Sequence, residues 1–276
     1  MHPPIPGQSV PCRLALLLQA LFLLVLLAGP AGAQIRETKH NLTISGTGVN
    51  TFSGTEEVCV FCHTPQGLDV SAAVPLWNRL MPSPASYQTY DTLGTALVGK
   101  VAPVGSVSLA CLSCHDGTSA MSAVVNVPAP SGTLTWESGT WSGANQSGGK
   151  LRAGLITNIG TDLRNDHPIG VQYGRGIFAA IPAHVTAGTN DFVRPQSAMI
   201  NETRVWWIDT EIAPNGSRQK TDVILYTRST AEGYAGQGEE EPFVECASCH
   251  DPHSAQPLFL RQSNAGSALC LACHIR

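Results

Sequence analysis

Three things are scarce in this chain of 276 residues. Basic residues are too few for a nucleic-acid face: 16 Lys and Arg stand against 20 Asp and Glu, and the net charge of −4 excludes the basic patch that such partners need. Aromatic residues make up only 6%, and no stretch repeats apolar residues at helical spacing for long, so a conventional helical bundle core is not expected. After Leu27 no apolar run is long enough to cross a membrane. Unpaired cysteines are also missing from all but the N-terminus, because Cys12 is the one cysteine of nine outside a Cys-x-x-Cys pair.

The N-terminus reads as a signal peptide spanning 1–33. Arg13 is its only charged residue, Leu14 to Leu27 is an almost unbroken apolar run, and Ala31-Gly32-Ala33 supplies the small residues that a signal peptidase accepts. Cleavage there predicts an exported, periplasmic or extracellular protein over 34–276 that has lost Cys12 and keeps four cysteine pairs. No structural disulfide is then expected.

Those pairs carry the chemistry. Each is followed directly by histidine: Cys59, Cys62 and His63; Cys111, Cys114 and His115; Cys246, Cys249 and His250; Cys270, Cys273 and His274. Two thiols one helical turn apart can add to the two vinyl groups of a porphyrin edge, and the next histidine is carried round to the iron. Zinc knuckles and disulfides also use paired cysteines. Neither needs a histidine after every second cysteine, so the motifs predict four covalently attached haem c groups.

The expected fold is that of a multihaem cytochrome c: mostly irregular, with short helices at the motifs, a minor β-hairpin, and a core built around four haems. Roughly 60 residues per haem suffice when porphyrin faces replace side-chain core. The motifs are uneven along the chain and predict a haem pair at 59–115, a spacer at 116–245 and a second pair at 246–274, in one domain. Ser131 to Lys150, with Trp136 and Trp141, reads as a surface loop or irregular hairpin. Arg204 to Asp209 followed by Asp222 to Tyr226 predicts the β-hairpin. Gly233 to Glu241 reads as a solvated acidic loop.

Histidines decide what the irons can do. Setting aside the four in the motifs and His2 in the leader, four are left: His40, His167, His184 and His253. That number equals the number of irons. If each is a sixth ligand, every haem is closed, low-spin and of low potential, which suits electron transfer and not substrate binding. His253 lies three residue steps from His250, at most about 10 Å, and is therefore expected on a neighbouring haem. Pro168 holds His167 extended, and Asp166 stands beside it to orient the ring. Met81, Met121 and Met199 are the alternative ligands to His184, with packing as their expected role. Arg79, Lys100, Arg152 and Arg164 are candidates to pair with propionates.

The phrases Lys-His-Asn-Leu at residue 40, Cys-Val-Phe-Cys-His-Thr-Pro, Pro75-Leu-Trp-Asn-Arg79, Cys-Leu-Ser-Cys-His-Asp-Gly-Thr, Asp-His-Pro-Ile-Gly and Cys-Ala-Ser-Cys-His-Asp-Pro-His resemble secreted multihaem cytochromes of metal-reducing bacteria. The likeness is greatest to tetrahaem members that polymerise into extracellular conductive filaments, and it leaves most of the spacer uncovered. It implies a continuous chain of bis-histidine haems carrying electrons. Gln66 departs from it, since Cys-His-Thr-Pro-His is the common continuation there. A haem left five-coordinate would instead support reduction of nitrite, hydroxylamine or a related small nitrogen substrate.

The expected partners are redox proteins or extracellular acceptors, and copies of the same chain. Head-to-tail assembly is expected because the fourth motif lies near one end and His40 near the other, with His40 completing a site across the joint.

Overall fold

The computed structural model describes residues 34–64, 76–93, 97, 99–175, 191–211, 213, 215–232 and 240–275. The expected signal peptide, Gln66, Pro75 and His184 lie outside the described residues. Gln34–Arg276 is one compact unit, and no helix among the described residues is long and apolar enough to cross a membrane.

Most of the chain is irregular, with short helices where the motifs fall. Helix α1, Ser106–His115, carries the second motif on its last turn. It starts from extended Gly105 and ends where Asp116 N–H donates to Leu112 O (3.0 Å). Gly117, at φ 70°, then turns the chain away in the left-handed conformation that closes helices. Leu109 and Leu112 bury themselves against Tyr87, Val104 and Leu163.

The third motif forms the single turn α2, Cys246–Cys249, and the fourth lies in α3, Ala268–Cys273. The first is tighter, a 3₁₀ turn over Val58–Phe61.

Nine short strands accompany them among the described residues. The strands β1 (Thr51–Phe52) and β2 (Trp141–Ser142) pair antiparallel, as do β3 (Gln146–Ser147) and β4 (Lys150–Leu151). The remaining five are β5 (Val171–Gln172), β6 (Gln196–Ile200), β7 (Thr203–Ile208), β8 (Val223–Arg228) and β9 (Glu241–Val244). They form one antiparallel sheet in the order β5-β9-β8-β7-β6.

The expected hairpin is thus β7 and β8, with Trp206 opposite Leu225 and Ile208 opposite Val223. It is not minor: it is the middle of a five-stranded sheet.

One other expectation needs correction. Glu241 belongs to β9 and is fully buried, so the acidic tract does not stay solvated to its end. Ser131 to Lys150 takes the irregular-hairpin alternative, with β3 and β4 paired at its end, and its Trp136 and Trp141 turn inward. They pack with Phe52, Val60 and Phe61, where ring centroids of Phe52 and Trp136 are 4.9 Å apart. This aromatic cluster supports the first motif, which supplies Val60 and Phe61.

Buried side chains among the described residues fall into several small clusters instead of one core. The sheet supports the fourth motif, because Leu269, Ala272 and Cys273 of α3 pack on Tyr173, Trp206, Ile208, Val223 and Leu225. Few aromatics suffice because they are concentrated under the motifs.

Candidate haem-binding site

Every motif closes one helical turn between its first cysteine and its histidine. The backbone N–H of His63 donates to Cys59 O (2.8 Å), that of His250 to Cys246 O (3.2 Å) and that of His274 to Cys270 O (2.9 Å); His115 does the equivalent inside α1. All eight motif cysteines are free thiols, as thioether formation requires.

The histidine rings are oriented by backbone carbonyls. Nδ1 of His115 lies 2.8 Å from Thr157 O, and Nδ1 of His250 lies 2.8 Å from Leu258 O. A carbonyl only accepts, so Nδ1 keeps the proton and Nε2 keeps the lone pair that a metal needs.

Two pairs of imidazoles face one another at the spacing of axial ligands. Two metal–nitrogen bonds of about 2 Å, with each ring centre ~1 Å behind its nitrogen, put axial centroids about 6 Å apart. The His63 and His253 centroids are 6.0 Å apart with planes at 14°, and those of His40 and His115 are 6.1 Å apart with planes at 73°. The centroid spacing of each pair is that expected for two imidazoles on one iron.

His253 therefore stands beside His63 of the first motif and not beside His250, its neighbour in the chain. His40 faces His115 of its own chain, where the sequence placed it across a joint between copies. Burial and then the neighbouring His115 hold the His40 imidazole down to about 4, so near neutral pH it is uncharged and able to ligate. Its ring stacks on Phe259 at 4.0 Å.

The other candidate ligands are less completely assembled. Protonation of His167 is disfavoured chiefly by burial and also by the charge of His274. The His274 ring packs on Phe192, with centroids 4.8 Å apart. Among the described residues no histidine ring stands opposite His250, and His184 is outside them. Met121 is buried and Met81 packs beside the Leu112 cluster, the expected packing role, whereas Met199 is exposed on β6. No three His, Cys, Asp or Glu side chains among the described residues converge to hold a bare metal ion.

Neighbouring thiols show which motifs lie close to one another. The Cys62 thiol is pushed up to about 12 by burial and then by Cys114, which links motifs one and two. Cys111 and Cys246 are in direct thiol–thiol contact, linking two and three. Cys273 is likewise pushed up to about 12, by burial and then by Cys249, linking three and four. Across the spacer 116–245, α1 and α2 are adjacent.

Polar side chains that the sequence did not single out hold this junction. Ser108 Oγ on α1 donates to Glu245 and accepts from Cys246 N–H (2.9 Å). Arg228 Nη1 reaches Glu245 Oε1 (3.1 Å) and Pro103 O (3.0 Å). No local pattern announces such contacts between residues more than a hundred positions apart.

Of the propionate candidates, Arg164 pairs with Asp162 (2.7 Å) and Arg152 donates to Ala144 O (3.3 Å). Arg79 points inward to carbonyls. Trp77 Nε1, beside His63, is buried without a hydrogen-bond acceptor, a free donor that a bound anionic group could use.

Residues 241–276 match the family described as the doubled CXXCH motif. That segment is a paired attachment site for haem c. It contains the third and fourth motifs; the first two stand outside the match and rest on their own spacing and geometry. No curated protein matches the chain.

Proposed function

We propose that the chain is an electron-transfer protein holding four low-potential bis-histidine c-type haems in a row, exported to the periplasm or cell surface. The observation that carries this reading is the opposition of imidazoles at 6.0 and 6.1 Å across two separate sites. Bound haem supplies an iron that takes up and releases one electron. The protein's work is then to hold and order. Paired thiols fix each macrocycle edge, carbonyls of Thr157 and Leu258 set the proximal rings, and His253 and His40 close the opposite faces of the first and second sites. His167 is assigned to the fourth site and His184 to the third.

Closed irons favour transfer over substrate reduction, because an incoming molecule finds no free coordination position. Contact of motifs one to two, two to three and three to four makes a path with two ends. Those ends are open, since Cys59 and Cys270 are exposed while Cys111 and Cys246 face each other. Redox proteins, extracellular acceptors or further copies of the chain would dock there, and head-to-tail stacking into a filament belongs to the same reading.

The test is carbon monoxide added to the reduced holoprotein after mass spectrometry has counted the haems. Four attached haems with an unmoved Soret band are expected. Fewer than four overturns the tetrahaem reading, and a shift of a quarter of the band would mean one open iron and favour the reductase alternative.

A further inference from the structure

Among the described residues Arg79 is a buried cation with no counter-ion. It is 3% exposed, and all its hydrogen bonds end on neutral acceptors. Nε donates to Ser113 Oγ (3.0 Å), Nη1 to Met121 O (2.8 Å), and Nη2 to Ser113 O (2.7 Å) and Ala120 O (3.0 Å). Among the described residues no carboxylate forms an ion pair with it. Asp116, which follows the second motif, is taken up by Tyr87 Oη (2.8 Å) and by Thr118.

Its place is between two motifs. Ser113 is one of the two spacing residues of Cys111-Leu-Ser-Cys114, so Arg79 grips the second motif from inside. The preceding residue grips the first: Asn78 N–H donates to Cys62 O (2.9 Å) and Asn78 Nδ2 to Val60 O (2.7 Å). Two consecutive residues thus tie motif one to motif two and put a permanent positive charge at the tie. The contrast with the next junction is informative, since Arg228 there is neutralised by Glu245 at 3.1 Å.

Satisfied hydrogen bonds keep the guanidinium buried, but they do not cancel its charge. Reduction of ferric to ferrous iron lowers the charge of a site by one. A fixed cation nearby favours that state, and the favour is large where water is excluded. We propose that Arg79 sets redox potential: its uncompensated charge raises the reduction potentials of the haems attached at Cys59–Cys62 and Cys111–Cys114. This rests on haem attachment at both motifs, as proposed above.

The experiment is a spectroelectrochemical titration of holoprotein, each iron taking one electron from the electrode, with haem content counted by mass. Arg79→Gln removes the charge, Arg79→Lys keeps it, and Ser113→Asp cancels it by placing a carboxylate at the Nε contact. Arg79→Gln and Ser113→Asp are expected to move the same one or two of the four haems to more negative potential, with Arg79→Lys close to wild type. Unmoved potentials in Arg79→Gln, a shift that Arg79→Lys shares, or one that Ser113→Asp fails to reproduce would each make Arg79 a packing residue and overturn the proposal. If Arg79→Gln does not mature with four haems, Ser113→Asp and Arg79→Lys decide; if neither cancelling variant matures, Arg79 is a folding residue and the proposal falls. A wild-type protein lacking haem at the first two motifs would instead defeat the functional reading beneath it.

Discussion

At the scale of single residues, ring orientation separates two sites that have the same ligands. Near-perpendicular axial imidazoles leave two iron dπ orbitals almost equal in energy, whereas near-parallel ones split them. The His40–His115 site, at 73°, should therefore give a strongly anisotropic low-spin electron paramagnetic resonance signal, and the His63–His253 site, at 14°, a rhombic one. His40→Ala is expected to abolish the first signal and His253→Ala the second, each converting one haem to high spin with all four still attached. Loss of the same signal in both variants would refute the assignment. Glu245 offers a test of a different kind. Burial outweighs its bonds to Ser108 and Arg228 and raises its carboxyl above the usual range. A raised folded value means that the native state holds the proton more tightly than the unfolded one, so stability is greatest below about 4.3 and falls as pH rises through the raised value. Urea melts across that interval should show the decline in wild type and a flatter profile in Glu245→Gln.

At the scale of elements, the close approach of α1 to Arg228 and Glu245 makes Gly105 hard to replace. A Cβ there would lie 2.4 Å from Glu245 Oε1 and 2.7 Å from Arg228 Nη1. Gly105→Ala should therefore push the ion pair apart and cost about 1–3 kcal/mol, read as a lower denaturation midpoint with the haem count unchanged. Phe243→Ala, which empties a fully buried position in β9, should cost more, about 3–5 kcal/mol. The helices at the motifs were legible because one spacing serves both attachment and helical geometry. So were β7 and β8, whose runs Arg204-Val-Trp-Trp-Ile and Val223-Ile-Leu-Tyr combine β-branched and aromatic residues. Strand β6 was not, since Gln196-Ser-Ala-Met-Ile is half-exposed at best and shows no alternation. Strand β9 was hidden by Glu240, Glu241 and Pro242, which read as loop. Proline is tolerated there because β5 reaches only Phe243 and Val244, so no ladder bond on that side is asked of Pro242.

At the scale of the whole molecule, the sequence offered candidate ligands but not their arrangement in space. The gap between Cys114 and Cys246 suggested two separate pairs, and contacts such as His63 with His253 and Ser108 with Cys246 join the two segments. The histidine partners were likewise invisible, because His253 lies beside His250 in the chain yet faces His63 in space. Linear order makes a measurable difference to how the haems feel one another. Adjacent irons ~10 Å apart at an effective dielectric near 20 interact by about 1–2 kcal/mol, and more distant ones by less. Removing the third attachment with Cys246→Ala and Cys249→Ala should therefore shift the potentials of the second and fourth haems and leave the first nearly where it was. Removing the first with Cys59→Ala and Cys62→Ala should shift the second alone, with the anisotropic signal of the His40 site reporting it. Because His40 meets His115 in its own chain, that signal should also survive dilution to the monomer. If deleting the first haem moved the fourth as far as the second, or dilution opened the second site, the row 1-2-3-4 within one chain would be wrong and the contacts between copies would have to supply the path.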